Sequence, residues 1–247
     1  MNTYTQTFEA DTGKILNIVI NSLYSDRDIF LRELLSNASD AIQKRKFLGQ
    51  TDQSLLNNEA DSIEIIINTK KKTIEIVDTG IGLTENELAE TLGTIAKSGT
   101  SAFLQEMEGE ENSKDAAKTL IGQFGVGFYS AFMVADKVEV LSRKAGTKQV
   151  SSWESDGQSG FSIDKSDEKQ AVGTKIKLFL KKDAKEFAAP DKIKTLIKKY
   201  SDHISFPINI KEADGEIEQV NSATAIWTKS ASQLSTEEYK EFYNSTF

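Results

Sequence analysis

Asp78 stands in the run Val77-Asp-Thr-Gly-Ile-Gly-Leu-Thr84, directly behind an isoleucine-rich stretch and just ahead of two glycines. Glycines there allow a tight turn and a close approach of backbone to a ligand. A carboxylate fixed at that point can accept a hydrogen bond from an exocyclic amine such as adenine N6, where the carbonyl of guanine has nothing to donate. Taken alone, the pattern also suits an ordinary loop.

A second stretch, Gly122-Gln-Phe-Gly-Val-Gly-Phe-Tyr-Ser130, runs into apolar residues through Val134. Backbone amides in such a stretch, placed before a helix, can cradle phosphate oxygens. It is neither of the common phosphate signatures. Ala96 precedes Lys97-Ser98, and Thr91 stands where a phosphate loop would have its first glycine. Ser130 takes the last glycine position of a dinucleotide pattern begun at Gly125.

The third element is a stripe. At about 100° per residue, Glu33, Asn37, Asp40 and Lys44 fall within about 40° of one line on a helix, with Leu34, Leu35, Ala38, Ala41 and Ile42 on the other side. A solvated outer face has this pattern. Ile29 and Phe30 flank the stripe on its own side, however, and an asparagine is a weak helix former for an exposed position. Both features suit a pocket wall.

The elements that must position these groups follow from apolar spacing. Residues 14–24 and 27–47 read as helices free of Gly and Pro. Residues 62–68 and 73–77, separated by Thr69-Lys-Lys-Lys72, read as a β-hairpin that delivers Asp78 at its exit. Thr84, with Glu87 three positions on, opens a helix expected over 84–96. The polar, glycine-punctuated residues 98–118 are expected to be mobile. Strands are expected at 137–143, 149–154 and 174–180, a helix from Pro190 to about Ile204, and a last strand at 206–211. Residues 212–225 read as a linker, and the aromatic segment 226–247 as the start of a second domain.

Composition narrows the function classes. At 38% hydrophobic and 28% charged, the chain can bury a sizeable core. A net charge of −8 with dispersed basic residues argues against a nucleic-acid surface. With no cysteine and one histidine, thiolate chemistry, disulfides and multi-histidine metal sites are excluded. His203 is expected to be structural, at the end of an amphipathic helix. The N-terminus lacks the basic start and apolar run of a secretory signal, and no window approaches the ~20 apolar residues of a membrane span.

Stripe, loop and glycine-rich stretch in this order resemble the Bergerat ATP-binding fold shared by heat-shock protein 90 chaperones, DNA gyrase B subunits, mismatch-repair ATPases and histidine kinases. Four motifs resemble the N-terminal ATPase domain of the heat-shock protein 90 family: Leu31-Arg-Glu-Leu-Leu-Ser-Asn-Ala-Ser-Asp-Ala41, Asp78-Thr-Gly-Ile-Gly-Leu-Thr84, Leu92-Gly-Thr-Ile-Ala-Lys-Ser-Gly-Thr100 and Ile121-Gly-Gln-Phe-Gly-Val-Gly-Phe-Tyr-Ser130. The short 212–225 segment resembles the bacterial high-temperature protein G branch first, with the mitochondrial branch behind it.

The resemblance implies an α/β two-layer sandwich with helices over a mixed, mainly antiparallel sheet, and a lid at about 93–127 that closes over Mg-ATP. Glu33 would be the general base for the water attacking the γ-phosphate, Asn37 would bind Mg²⁺ and phosphate, and Asp78 would hold the adenine amine. Asp40 and Lys44 would belong to the nucleotide site. Gly82, Leu83, Phe128 and Thr174 would line the adenine and ribose end. Lys97 and Ser98 would contact ribose or phosphate, and Gly122, Gln123, Phe124, Gly125, Val126 and Gly127 would meet the phosphates when the lid closes. Thr91 departs from the amide or imidazole frequent among relatives.

By the same resemblance, residues 1–211 are the ATP-binding domain of a cytoplasmic chaperone of the stress response. It would act on client proteins, dimerise through a region beyond Phe247, and depend on an activating arginine in the middle domain. The isolated domain would then be monomeric and turn over poorly. Other readings are a gyrase-type or mismatch-repair ATPase, which the missing basic surface disfavours, a histidine kinase, for which nothing marks His203 as an acceptor, and a non-catalytic nucleotide-sensing scaffold.

Overall fold

The computed structural model describes residues 18, 26–56, 60–95, 97, 99–106, 120, 122, 125–212, 215–223 and 235. The expected first helix at 14–24, most of the expected mobile segment and the aromatic end therefore lie outside the described residues, Ile18 and Ser235 apart.

Alternation builds the sheet. In β1 (Ile63–Asn68) the isoleucines 63, 65 and 67 are buried, and in β2 (Thr73–Asp78) Ile74 and Ile76 are buried. The two pair antiparallel in the register Ile63↔Asp78 to Asn68↔Thr73. β3 (Ala135–Arg143), β4 (Val150–Ser155), β5 (Phe161–Ser166), β6 (Gly173–Leu180), β7 (Ile208–Glu212) and β8 (Ile217–Gln219) complete one eight-stranded sheet in the order β5-β4-β3-β6-β2-β1-β7-β8. Among the described residues only β1 and β7 run parallel, so the sheet is mixed and mainly antiparallel, as expected. β6 lies beside β2 with Asp78 opposite Thr174. That register is what brings two distant sequence positions to one place.

Helices cover the buried face. The long helix α1 (Ile29–Thr51) lays Leu31, Leu34, Leu35, Ala38 and Ile42 on the sheet isoleucines in one continuous core. Phe30, expected to border the polar stripe, instead packs edge-on against Phe187 with ring centroids 5.1 Å apart. Arg45 is buried on α1 and pairs with Asp61 just ahead of β1. Further helices among the described residues are α2 (Glu85–Leu92), α3 (Gly99–Glu106) and α4 (Pro190–Tyr200). Short 3-10 stretches run over Gln53–Leu55, Gly127–Met133 and, with a kink at Ala184, Lys182–Ala188.

Several expected boundaries move for local reasons. α1 continues four residues past 47, since Gly49 packs directly on Leu56 and that contact offsets glycine's weak helix propensity. α2 carries the expected capping box, with Glu87 N donating to Thr84 Oγ1 at 3.3 Å and Thr84 N to Glu87 Oε2 at 2.8 Å. It stops at Leu92, not at 96, because Gly93 caps it and the Tyr129 hydroxyl takes the Leu92 carbonyl at 2.9 Å.

α4 ends at Tyr200, not near Ile204. The buried amide of Asn221 binds the carbonyls of Ile204 and Phe206 at 2.9 and 3.0 Å and turns the chain toward β7. Asn221 belongs to the stretch read as linker. That stretch also supplies β8, which pairs with β7, and the buried Val220, so ordered sheet structure reaches beyond residue 211. β5 is a further unexpected strand, at the opposite edge.

Candidate functional site

One cavity of about 600 Å³ lies between α1, the ends of β2 and β6, and the segments around residues 97–104 and 120–128. Of the seventeen site residues read from the sequence, Ser98, Gln123 and Phe124 fall outside the described residues. Each of the other fourteen lines this cavity.

The inner end is built by the sheet. Asp78 closes β2 with only 6% of its surface exposed. Its Oδ1 accepts hydrogen bonds from Gly80 N at 2.8 Å and from Thr174 N, across the strand, at 3.3 Å. Among the described residues, Oδ2 receives none. Burial pushes the carboxyl pKa up to about 7, against the lowering effect of those two amides and of the Arg45 guanidinium. A partner that donates a hydrogen bond to Asp78 therefore finds an acceptor that burial has left short of compensation.

The turn after Asp78 is locked to its neighbours. Ile81 N donates to the Ala41 carbonyl of α1 at 3.0 Å, and Ala145 N to the Ile81 carbonyl at 2.8 Å. Gly82 has φ +68, and a Cβ there would run into the Arg143 carbonyl, so both backbone conformation and space require glycine. Leu83 N donates to the hydroxyl of Ser142 at 2.8 Å. Leu83, Phe128, Val140 and Ile176 supply an apolar lining next to Asp78 and Thr174. Phe128 is held edge-on to Trp153 at 5.4 Å.

The outer end is built by side chains of α1 meeting the segments opposite. Glu33 Oε1 accepts from Arg32 Nη2 at 2.6 Å and Nε at 3.2 Å. Its Oε2 lies against Gly127, where a Cβ would collide with it. Asp40 is buried, and its Oδ2 accepts from Thr100 Oγ1 at 3.1 Å and Gly122 N at 2.8 Å. A Cβ on Gly122 would sit 3.0 Å from Asn37 Oδ1, so the Asn37 amide and Asp40 frame one backbone position. Gly125 rests on the backbone of Lys97, and Val126 packs on the main core. The exposed Lys97 ammonium pairs with Glu90 at 2.9 Å.

Lys44 lies over the Phe103 ring at 4.9 Å, and Phe103 stacks edge-on with Phe47 at 5.7 Å. These contacts make a small separate cluster with Leu48, Leu104 and Leu120. Thr91 lines the same cavity, with its Cγ2 3.7 Å from where a Cβ on Gly99 would stand. His203 follows α4 in a turn at the far rim, and burial lowers its pKa.

Sequence reasoning missed Ser142, Gly173 and Ile176. Ser142 had a readable signal, since it shares the inward, period-two face of β3 with Val138 and Val140, where a polar residue needs a partner. Gly173 and Ile176 carried none.

A pocket with a buried acceptor at one end and glycine-edged backbone with α1 side chains at the other is the arrangement of a nucleotide-binding ATPase domain. Residues 28–177 match the family described as histidine kinase-, DNA gyrase B-, and HSP90-like ATPases, and the chain belongs to that family.

Within the family, the chain is 46% identical over 245 residues to Chaperone protein HtpG of Rhodospirillum rubrum, an alignment covering 99% of this chain and 39% of that protein. It is 47% identical over 247 residues to Chaperone protein HtpG of Wolinella succinogenes, covering 97% and 39%. Against Chaperone protein HtpG of Rickettsia typhi it is 48% identical over 241 residues, covering 96% and 38%. The chain thus spans about two fifths of the length of these relatives. Among the described residues no helix is long and apolar enough to cross a membrane.

Proposed function

We propose that this chain is the ATP-binding and ATP-hydrolysing N-terminal domain of a cytoplasmic molecular chaperone that assists client proteins and dimerises through regions beyond this sequence. The observation that carries the base assignment is Asp78, a buried carboxylate with one oxygen satisfied by Gly80 and Thr174 and the other left for a donor. An adenine amine supplies that donor.

Glu33 is the general base in this reading. It sits on a rigid helix, its Oε1 is held by Arg32 and its Oε2 faces the glycine-rich backbone at Gly127, which leaves a carboxylate oriented toward the phosphate end. Lys97, Ser98 and Gly122 to Gly127 contact ribose and phosphates, and residues 93–127 form a lid. Positioning and charge neutralisation then supply most of the rate.

Magnesium fits the donor set modestly. Asn37 offers one neutral oxygen, and Asp40 is already engaged by Thr100 and Gly122. Among the described residues no group of three or more acidic, His or Cys side chains could hold a metal alone. Mg²⁺ at Asn37 would therefore take most of its ligands from phosphates and water, as this ion commonly does, and would neutralise phosphate charge.

The test is calorimetric titration of ADP with Mg²⁺ into wild type and Asp78→Asn. Loss of a hydrogen bond to a charged, buried acceptor should weaken binding on the order of 100-fold. Comparable affinity in both proteins would sink the adenine assignment.

A further inference from the structure

Ser142 is fully buried at the centre of a hydrogen-bonded cluster behind the adenine end. Its Oγ lies 2.8 Å from Leu83 N, 3.2 Å from the Gly173 carbonyl and 2.9 Å from Thr174 Oγ1. One arrangement of protons makes all three contacts hydrogen bonds at once. Leu83 N–H can only donate and the Gly173 carbonyl can only accept. In that arrangement the serine hydroxyl gives its one proton to the Gly173 carbonyl, and the 2.9 Å contact with Thr174 runs from the threonine hydroxyl to Ser142. Both lone pairs of Ser142 are then occupied, and its one proton is used.

We infer that Ser142 is a positioning residue for base selection, which commits the Thr174 hydroxyl proton inward so that Thr174 presents only lone pairs to the cavity it lines. This rests on the adenine reading of Asp78. With Asp78 ionised, the end wall becomes a pair of acceptors joined through the Thr174 amide, which also donates to Asp78. Whatever meets the wall must donate at both positions: an amine N–H, or a water that passes the bond on. A purine with a carbonyl in place of the amine would set its oxygen against lone pairs. Specificity of this kind comes from repelling the wrong partner as well as attracting the right one.

Replacing Ser142 by alanine removes the acceptor and frees the Thr174 hydroxyl to turn and donate into the cavity. The experiment titrates ADP, and inosine diphosphate by displacement of ADP, into wild type, Ser142→Ala, Thr174→Val and the double variant. Both ligands are measured on the same protein, so their affinity ratio is insensitive to any unfolded fraction.

Ser142→Ala should lower the preference for ADP about tenfold, the value of one neutral hydrogen bond. In the Thr174→Val background, which has no hydroxyl to orient, the same change should leave the ratio unaltered. An unchanged ratio in Ser142→Ala overturns the inference, as does an equal shift with and without the Thr174 hydroxyl, which would mark Ser142 as merely structural. If Asp78→Asn still binds ADP at wild-type affinity, the adenine reading fails first. If Asp78→Asn loses ADP and Ser142→Ala keeps the wild-type ratio, only the inference fails.

Discussion

The two ends of the cavity are built by different means. At the base end, Asp78 and Thr174 are register partners on adjacent strands, the turn between Gly80 and Leu83 is bonded to α1 and to Ser142, and Gly82 fits against the Arg143 backbone. At the phosphate end, α1 holds the segments across from it through Asp40 with Thr100 and Gly122, through Lys44 over Phe103, and through the close approach of Glu33 to Gly127. One end is fixed by a backbone ladder whose bonds form together. The other is held by single side-chain contacts that can break one at a time. In the proposed reading, recognition of the base falls to the end fixed by the ladder, and contact with the phosphates to the end held by side-chain contacts.

The largest expected effect separates chemistry from binding. Glu33→Ala in the full-length protein should lower hydrolysis by at least ~100-fold, the usual contribution of a general base, while ADP affinity stays within a few-fold. Steady-state phosphate release together with titration checks this, and wild-type turnover would remove Glu33 from the base role. Next is a contrast of two glycines. Gly82→Ala places a Cβ against a carbonyl in a left-handed backbone and should destabilise by about 2–4 kcal/mol. Gly99→Ala meets nothing closer than 3.7 Å and should be nearly neutral. Urea unfolding of both variants measures the difference, and equal losses would erase the distinction between a locked end and an adjustable one.

Much of this architecture was legible in the sequence, because the groups involved sit on strongly periodic elements. The stripe Glu33, Asn37, Asp40 and Lys44 could be read from helical spacing, and Asp78 from its place behind an alternating isoleucine strand. β5 and β8 were not legible: as edge strands they bury almost nothing, so alternation has nothing to act on. The early ends of α2 at Leu92 and of α4 at Tyr200 have tertiary causes, the Tyr129 hydroxyl in one case and Asn221 in the other. Ser142 was overlooked although its inward position was readable. What the sequence could not disclose was its three partners, drawn from three different segments.

A third prediction uses acidity to probe the base end alone. Burial raises the Asp78 pKa to about 7 from 3.8, so the folded chain holds that proton over a range where the unfolded chain has lost it. Stability from this group therefore falls as pH rises from about 4 to about 7 and is level above that. Binding has the opposite sense, since the amine requires the carboxylate. ADP affinity should be level above about pH 8 and about tenfold weaker at pH 6 than at pH 8. Titrations across that range in wild type and Asp78→Asn give the comparison, and an identical pH slope in the asparagine variant would detach the effect from Asp78.

The smallest expected effect bears most directly on whether the two ends are independent. Asp40→Ala removes the acceptor shared by Thr100 Oγ1 and Gly122 N. ADP affinity should fall only a few-fold, in keeping with loss of ordinary hydrogen bonds from a segment that retains its apolar cluster around Phe103. The sensitive readout is amide exchange: Gly122 N–H should lose protection while Gly80 and Thr174 N–H, both bound to Asp78, keep theirs. Equal loss at all three amides would mean that α1 couples the ends rigidly, and the phosphate side could then not adjust without disturbing the base. Selective loss at Gly122 would place the boundary between fixed and movable halves of the cavity along α1, between Ala41, whose carbonyl anchors the Asp78 turn, and Asp40, one residue before it.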